Sequence, residues 1–166
     1  MEVLSNVKAS RHGHEIKEIR KLCSLRKLGV VIDDKEAHLR NFLRVASDLK
    51  EYLQSVSITI TETKSKVTQP IHELLTAEMY RRLIQPPKSL ESLSISGTAT
   101  QKRKLLPSLV KGTNELEKVT LSRTSMEQDD LNDIAELPNL QCVKLRHEAY
   151  NTQHKYTFKQ GFHFQK

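Results

Sequence analysis

The sequence predicts an α/β solenoid: about six irregular repeats, with a parallel inner β-sheet and helices or turns on the outer face. Three observations predict it. One short apolar pattern recurs along the chain, the recurrences come at similar intervals, and the segments between them carry helix or turn signals. Self-similarity with a period of about 20–50 residues marks a stacked architecture.

The pattern is L-x-x-L-x-L with aliphatic substitutes. It reads Leu4-x-x-Val7-x-Ala9, Leu25-x-x-Leu28-x-Val30, Leu53-x-x-Val56-x-Ile58, Leu90-x-x-Leu93-x-Ile95, Leu116-x-x-Val119-x-Leu121 and Leu140-x-x-Val143-x-Leu145. Successive first positions are 21, 28, 37, 26 and 24 residues apart. All but the third interval fall within or at the edge of the roughly 20–29-residue period of leucine-rich repeats. The third holds an insertion. The strand period of two explains the pattern: in Val119-Thr120-Leu121 the outer residues share one face and Thr120 takes the other. Leu116, where the chain approaches the strand, also packs inward. One unit cannot bury its apolar edge alone, whereas six stacked units share a continuous core. The expectation is a leucine-rich-repeat arc forming a single domain over residues 1–166.

The intervening segments suit the return path. Asp33 and Asp34 are placed to cap a helix over 35–52, in which Leu39, Phe42, Leu43, Ala46 and Leu49 form one apolar stripe. Residues 71–84 read as a second helix closed by Pro86-Pro87. A short helix is expected over 129–136, with Asp129 and Asp130 in a first turn that favours anions. A crossover between parallel strands is right-handed as a rule, which puts the strands on the inner side of a curved stack. The polar run 61–70 is expected to be an exposed insertion in the long third repeat.

Composition excludes several classes. Hydrophobic residues at 37% and charged residues at 28% argue against disorder. A net charge of +7 raises nucleic acid or anionic lipid as partners. The 20 acidic residues are scattered among the 27 basic ones, however, and the run Lys102-Arg103-Lys104 is expected in a solvated loop. A mixed basic surface is therefore favoured over a nucleic-acid site. Cys23 and Cys142 lack CxxC or CxxxH spacing, which argues against a disulfide scaffold or a zinc site. There is no signal-peptide core, no run of 18 apolar residues and no Asn-x-Ser/Thr sequon. The expected location is the cytoplasm, with the nucleus as an alternative, and no membrane span is expected.

No catalytic constellation is found, so the chain is not expected to be an enzyme or to hold a cofactor. Neither a G-x-x-x-x-G-K-[ST] phosphate loop nor a G-x-S-x-G elbow is present. His12 and His14 are two apart, while His147, His154 and His163 are scattered; none has metal-ligand spacing. Cys142 falls beside Lys144 on the exposed strand face and reads as an ordinary surface thiol.

Several stretches carry a more specific likeness: LRKLGVV (25–31), DLKEYLQSVSI (48–58), SLESLSISG (89–97), LLPSLVKGTNELEKVTLSRT (105–124) and DDLNDIAELPNLQCVKLRHEAY (129–150), with an F-x-x-G-F sequence at Phe158 to Phe162. Together they resemble the leucine-rich-repeat region of plant nucleotide-binding disease-resistance receptors over nearly the whole chain. The resemblance implies a protein–protein interaction and regulatory segment of an intracellular immune receptor. It would act in the defence response by recognising an effector or partner and by autoinhibition. Its partners would be a pathogen effector, a host guardee or the receptor's own nucleotide-binding module. The alternative is a substrate-recognition repeat segment of a ubiquitin-ligase adaptor, which would carry a preceding F-box and more often cysteine at the ninth repeat position.

That ninth position, asparagine or cysteine in the common consensus, holds His12, Asp33, Thr61, Thr98, Thr124 and Glu148. The three threonines offer a hydroxyl ladder to neighbouring backbone. Such irregularity suits the cytoplasmic plant type; the extracellular type's Gly-x-Ile-Pro signature is missing. Met1 falls just before the first motif, and Phe164 looks like the first position of a seventh unit. Because solenoids normally carry polar caps, a fragment truncated at both ends is expected, one that associates through its open ends.

Outward-facing strand positions form the candidate interface. Mid-strand they are Lys8, Gly29, Ser57, Ser94, Thr120 and Lys144; beside them lie Ser55, Thr59, Ser92, Ser96, Lys118, Ser122, Arg123, Arg146 and His147. The partner-binding set is taken as Ser94, Ser96, Lys118, Thr120, Ser122, Arg123, Lys144 and Arg146. Within it Lys118, Arg123, Lys144 and Arg146 would face an acidic partner surface, tuning approach rate and specificity. The bland alternative is a solvated polar face with the contact elsewhere.

Overall fold

A computed structural model describes residues 2–9, 14–62, 85–97 and 102–149. In chain order its elements are β1 (Val3–Lys8), α1 (His14–Ile19), β2 (Lys27–Asp33), α2 (Glu36–Asp48), β3 (Ser55–Thr61), β4 (Ser92–Ser96), α3 (Lys102–Val110), β5 (Lys118–Ser122), α4 (Gln128–Ala135) and β6 (Cys142–Arg146). The six strands form one sheet in sequential order, and every neighbouring pair is parallel. This is the predicted repeat architecture, and α1 to α4 stack on one another in chain order.

Register turns the sequence pattern into layers. Leu28, Val56, Leu93, Val119 and Val143 pair across β2 to β6 as one inward row. Val30, Ile58, Ile95, Leu121 and Leu145 form the next. Leu25, Leu53, Leu90 and Leu116, each two residues before its strand, are buried ahead of them. Aliphatic side chains buried in this way stabilise by about 1.5–3 kcal/mol each. The stripe Leu39, Phe42, Leu43, Ala46 and Leu49 of α2 is buried against these layers, so it is core rather than a partner-binding face.

A second ladder joins the repeats where the strands begin. The carbonyl of the residue before each of β1 to β5 (Glu2, Arg26, Gln54, Glu91, Glu117) accepts two N–H groups from the next repeat, at 2.8–3.0 Å. The donors are Arg26 and Lys27, Gln54 and Ser55, Glu91 and Ser92, Glu117 and Lys118, and Gln141 and Cys142. Backbone groups outside the strands are thereby satisfied without side chains.

The first repeat departs from the expected alignment. Leu4 pairs with Leu28 and Val7 with Val30, with a bulge between them, so Leu4 is not the counterpart of Leu25. The extra residue is absorbed at Ser5 and Asn6, the latter in left-handed backbone (φ 59°). Bulges of this type insert one residue and displace all that follows. Lys8 consequently pairs with Val31, not with Gly29. Gly29 makes room for the bulge: a Cβ there would lie 3.2 Å from Asn6 N and from Ser5 Cα.

Helix boundaries also shift. α2 starts at Glu36 and ends at Asp48 rather than spanning 35–52, and Lys35 occupies its cap position with no side-chain cap bond. Asp33 does not cap it, because Asp33 continues β2 in register with Thr61 and its carboxylate meets Lys35 Nζ at 3.2 Å. Asp34 N–H donates to Thr61 O at 3.0 Å. α4 lies within a residue of expectation, and Asp130 accepts the Glu127 N–H at 3.0 Å. Lys102-Arg103-Lys104, expected in a loop, forms the start of α3. α3 ends at Val110, whose carbonyl accepts from Thr113 Oγ1 at 2.7 Å, with Gly112 left-handed (φ 88°) between them. Most of the predicted 61–70 loop (from residue 63), the 71–84 helix, His12, Thr98 and the segment from residue 150 to Phe164 and beyond lie outside the described residues.

Candidate functional site: the open sheet face

Strand parity gives the sheet one face buried on the helices and one open face, and pairing arranges the open face in rows. Lys27, Ser55, Ser92, Lys118 and Cys142 form the first row. Gly29, Ser57, Ser94, Thr120 and Lys144 form the second. The third is Lys8, Val31, Thr59, Ser96, Ser122 and Arg146. All of these side chains are exposed or half-buried. Rows on neighbouring strands lie about 4.8 Å apart, and successive same-face positions about 6.7 Å apart along a strand. Ser94, Ser96, Lys118, Thr120, Ser122, Lys144 and Arg146 thus make a single contiguous patch. Arg123 sits at its edge, one residue beyond β5, exposed.

The charge is laid out unevenly. β3 and β4 present only hydroxyls: Ser55, Ser57, Thr59 and Thr61, then Ser92, Ser94 and Ser96. Cations stand on both sides, Lys8 and Lys27 on β1 and β2, Lys118, Lys144 and Arg146 on β5 and β6. Among the described strand residues of this face the one acid is Asp33, already engaged by Lys35 and by Thr61 Oγ1 at 3.2 Å. None of the five cations is held in an ion pair among the described residues. Among the described residues, their charge is therefore not balanced by an acid on the same face.

The ninth-position ladder is partial. Thr61 Oγ1 donates to Ile32 O in the preceding repeat at 3.2 Å, whereas Thr124 Oγ1 donates to Ala149 O in the following one at 2.8 Å. Glu148, in left-handed backbone, is exposed.

Among the described residues no three of His, Cys, Asp and Glu are grouped to hold a metal ion, and Cys23 and Cys142 are both free thiols. A shallow hollow of about 510 Å³ lies away from the face, at the starts of the first strands, lined by Glu2, Lys21, Cys23, Arg26 and Tyr52 among others. No helix among the described residues is long and apolar enough to cross a membrane.

A sequence-family model describing a leucine-rich repeat region matches residues 1–166. No curated protein matches the chain.

Proposed function

Since the chain belongs to the leucine-rich-repeat family, an architecture of protein–protein interaction, we propose that it recognises an acidic surface of a partner protein through its open sheet face. In this reading it serves as an interaction and regulatory segment of an intracellular plant immune receptor. The observation that carries the docking surface is the set of five cations, none ion-paired among the described residues, around a neutral hydroxyl field whose one described acid is already engaged. The receptor context is supported by the likeness of residues 25–31, 48–58, 89–97, 105–124 and 129–150 to that receptor class. The partner is an effector, a host protein under surveillance, or the receptor's own nucleotide-binding module.

Charge reversal tests the surface. Lys144→Glu with Arg146→Glu is expected to weaken binding of an acidic partner at least tenfold at low salt, and the wild-type affinity should fall as salt rises. Unchanged binding in the reversed variant overturns the proposal. The reading frame upstream of the codon for Met1 tests the context: a nucleotide-binding module supports it, and an F-box overturns it.

A further inference from the structure

Before each of β2 to β6 the chain crosses the strand-start side of the sheet, and the charge of these crossings runs one way. Residues 20–26 carry Arg20, Lys21 and Arg26 with no acid. Residues 49–54 and 85–91 each carry one base and one acid. Residues 111–117 set Lys111 against Glu115 and Glu117, and 136–141 carry Glu136 alone. Local partners sharpen the contrast. Lys88 and Glu51 pair across the middle at 2.9 Å, Lys111 is taken up by Asp133 at 3.7 Å, and Lys21 by Glu18. Arg20 and Arg26 at one end, and Glu115, Glu117 and Glu136 at the other, are exposed and held in no ion pair among the described residues. The backbone ladder on this side makes no demand on side chains, so the fold does not impose the polarity. Tyr52 stands near the middle. It is 55% exposed, one of two large hydrophobic residues so exposed among those described, and it borders the hollow that Lys21 and Arg26 also line. An exposed aromatic among polar groups has the composition of an interface centre.

We infer that two copies of this chain pair through their strand-start sides, about a two-fold axis normal to the sheet between β3 and β4. Such an axis reverses the order of the repeats, so the positive end of each copy meets the negative end of the other. In the row of residues preceding the strands, Arg26 comes opposite the partner's Glu117, Gln54 opposite the partner's Glu91, and Glu2 opposite the partner's Gln141, each twice. Every pair joins opposite charges or a carboxylate and an amide. An axis through β3 would instead set Glu2 on the partner's Glu117, and one through β4 would set Glu91 on its own counterpart. Both open faces then look to the same side and stay free, so this contact does not depend on the reading of that face.

Sedimentation equilibrium of the full chain tests the pairing. Wild type is expected to form a closed dimer at low salt that weakens as salt rises. Arg26→Glu and Glu117→Arg should each weaken it by about tenfold or more, because each sets like charges together twice. Mixed in equal amounts, the two variants should form a heterodimer, and the double variant should pair with itself as wild type does. Tyr52→Ser should weaken the dimer about tenfold. A wild type that stays monomeric overturns the inference, as does open-ended growth past the dimer, which contacts through the solenoid ends would give. Dimerisation indifferent to both charge variants, or their failure to rescue one another, overturns it too. Both side chains are exposed, so each variant is expected to melt within about 3 °C of wild type; a larger fall shows that they serve the fold and also overturns the inference.

Discussion

A Cβ placed on Gly97 would lie 2.1 Å from the carbonyl oxygen of Ile60. β3 runs two residues past Thr59, the partner of Ser96, and brings that carbonyl over the exit of β4. Gly97→Ala therefore meets a backbone atom as well as an unfavourable φ of 98°. It is expected to destabilise by about 2–4 kcal/mol, read as a lower urea midpoint with an unchanged slope. A variant as stable as wild type would show that β3 ends sooner than Thr61.

The bulge of β1 over Gly29 gives a smaller, graded effect. At 3.2 Å from two backbone atoms, an alanine Cβ forces a shift of a few tenths of an ångström in the edge strand β1. Gly29→Ala is expected to lose about 1 kcal/mol. Asn6→Gly, which relieves a left-handed asparagine, should stay within about 0.5 kcal/mol of wild type or exceed it. Equal losses from both substitutions in chemical denaturation would sink this account of the first repeat.

Thr124 is buried and its hydroxyl donates to Ala149 O. Thr124→Val keeps the shape and removes one donor, while Ala149 O keeps the Met126 N–H at 2.9 Å, so the cost is that of a single hydrogen bond, about 0.5–1.5 kcal/mol. Hydrogen exchange around residues 142–149 should accelerate in this variant before it does elsewhere. Protection unchanged throughout would argue that water replaces the hydroxyl.

The Glu18 carboxyl is held below the usual carboxylate range, first by the hydrogen bond from Lys21 and then by that ammonium's charge. A depressed folded value means that the pair's stabilisation is present above the ordinary carboxylate range and is lost as pH falls through the lower folded value. Both side chains are 65% exposed, so screening keeps the effect small. Lys21→Met should raise the Glu18 pKa in an NMR titration and leave Tm near pH 7 almost unchanged. A Glu18 titration indifferent to Lys21→Met would refute the pairing.

Much of this architecture was legible in the chain because burial selects residue type at a period of two. Leu28-Gly29-Val30, Val56-Ser57-Ile58 and Leu93-Ser94-Ile95 each declare an inward pair and an outward residue, so the patch from Ser94 to Arg146 could be placed before its neighbours were known. β1 could not be aligned in that way: the three-residue step from Leu4 to Val7 has the spacing of an approach leucine and a strand residue, but here it is produced by a bulge. α3 was hidden by its basic start, Lys102-Arg103-Lys104, and by Pro107, which breaks the helical signal, although Leu105, Leu106, Leu109 and Val110 all turn inward. Asp33 looked like a cap because it stands just before an apolar helical stripe, and nothing in its own residue type marks β2 as running on to it. The left-handed backbone at Arg123 and His147 left no mark in the sequence, since neither position carries glycine.

The carbonyl ladder at the strand starts uses atoms that every residue possesses, and only proline, lacking the N–H, is barred from its donor positions. Glu2, Arg26, Gln54, Glu91, Glu117 and Gln141 accordingly include acid, base and amide. A gene that duplicates, loses or exchanges one unit brings with it whatever residue happens to stand there, and the joint re-forms all the same. Inheritance can thus keep the spine intact while the side chains that meet the outside world drift from one generation of sequences to the next.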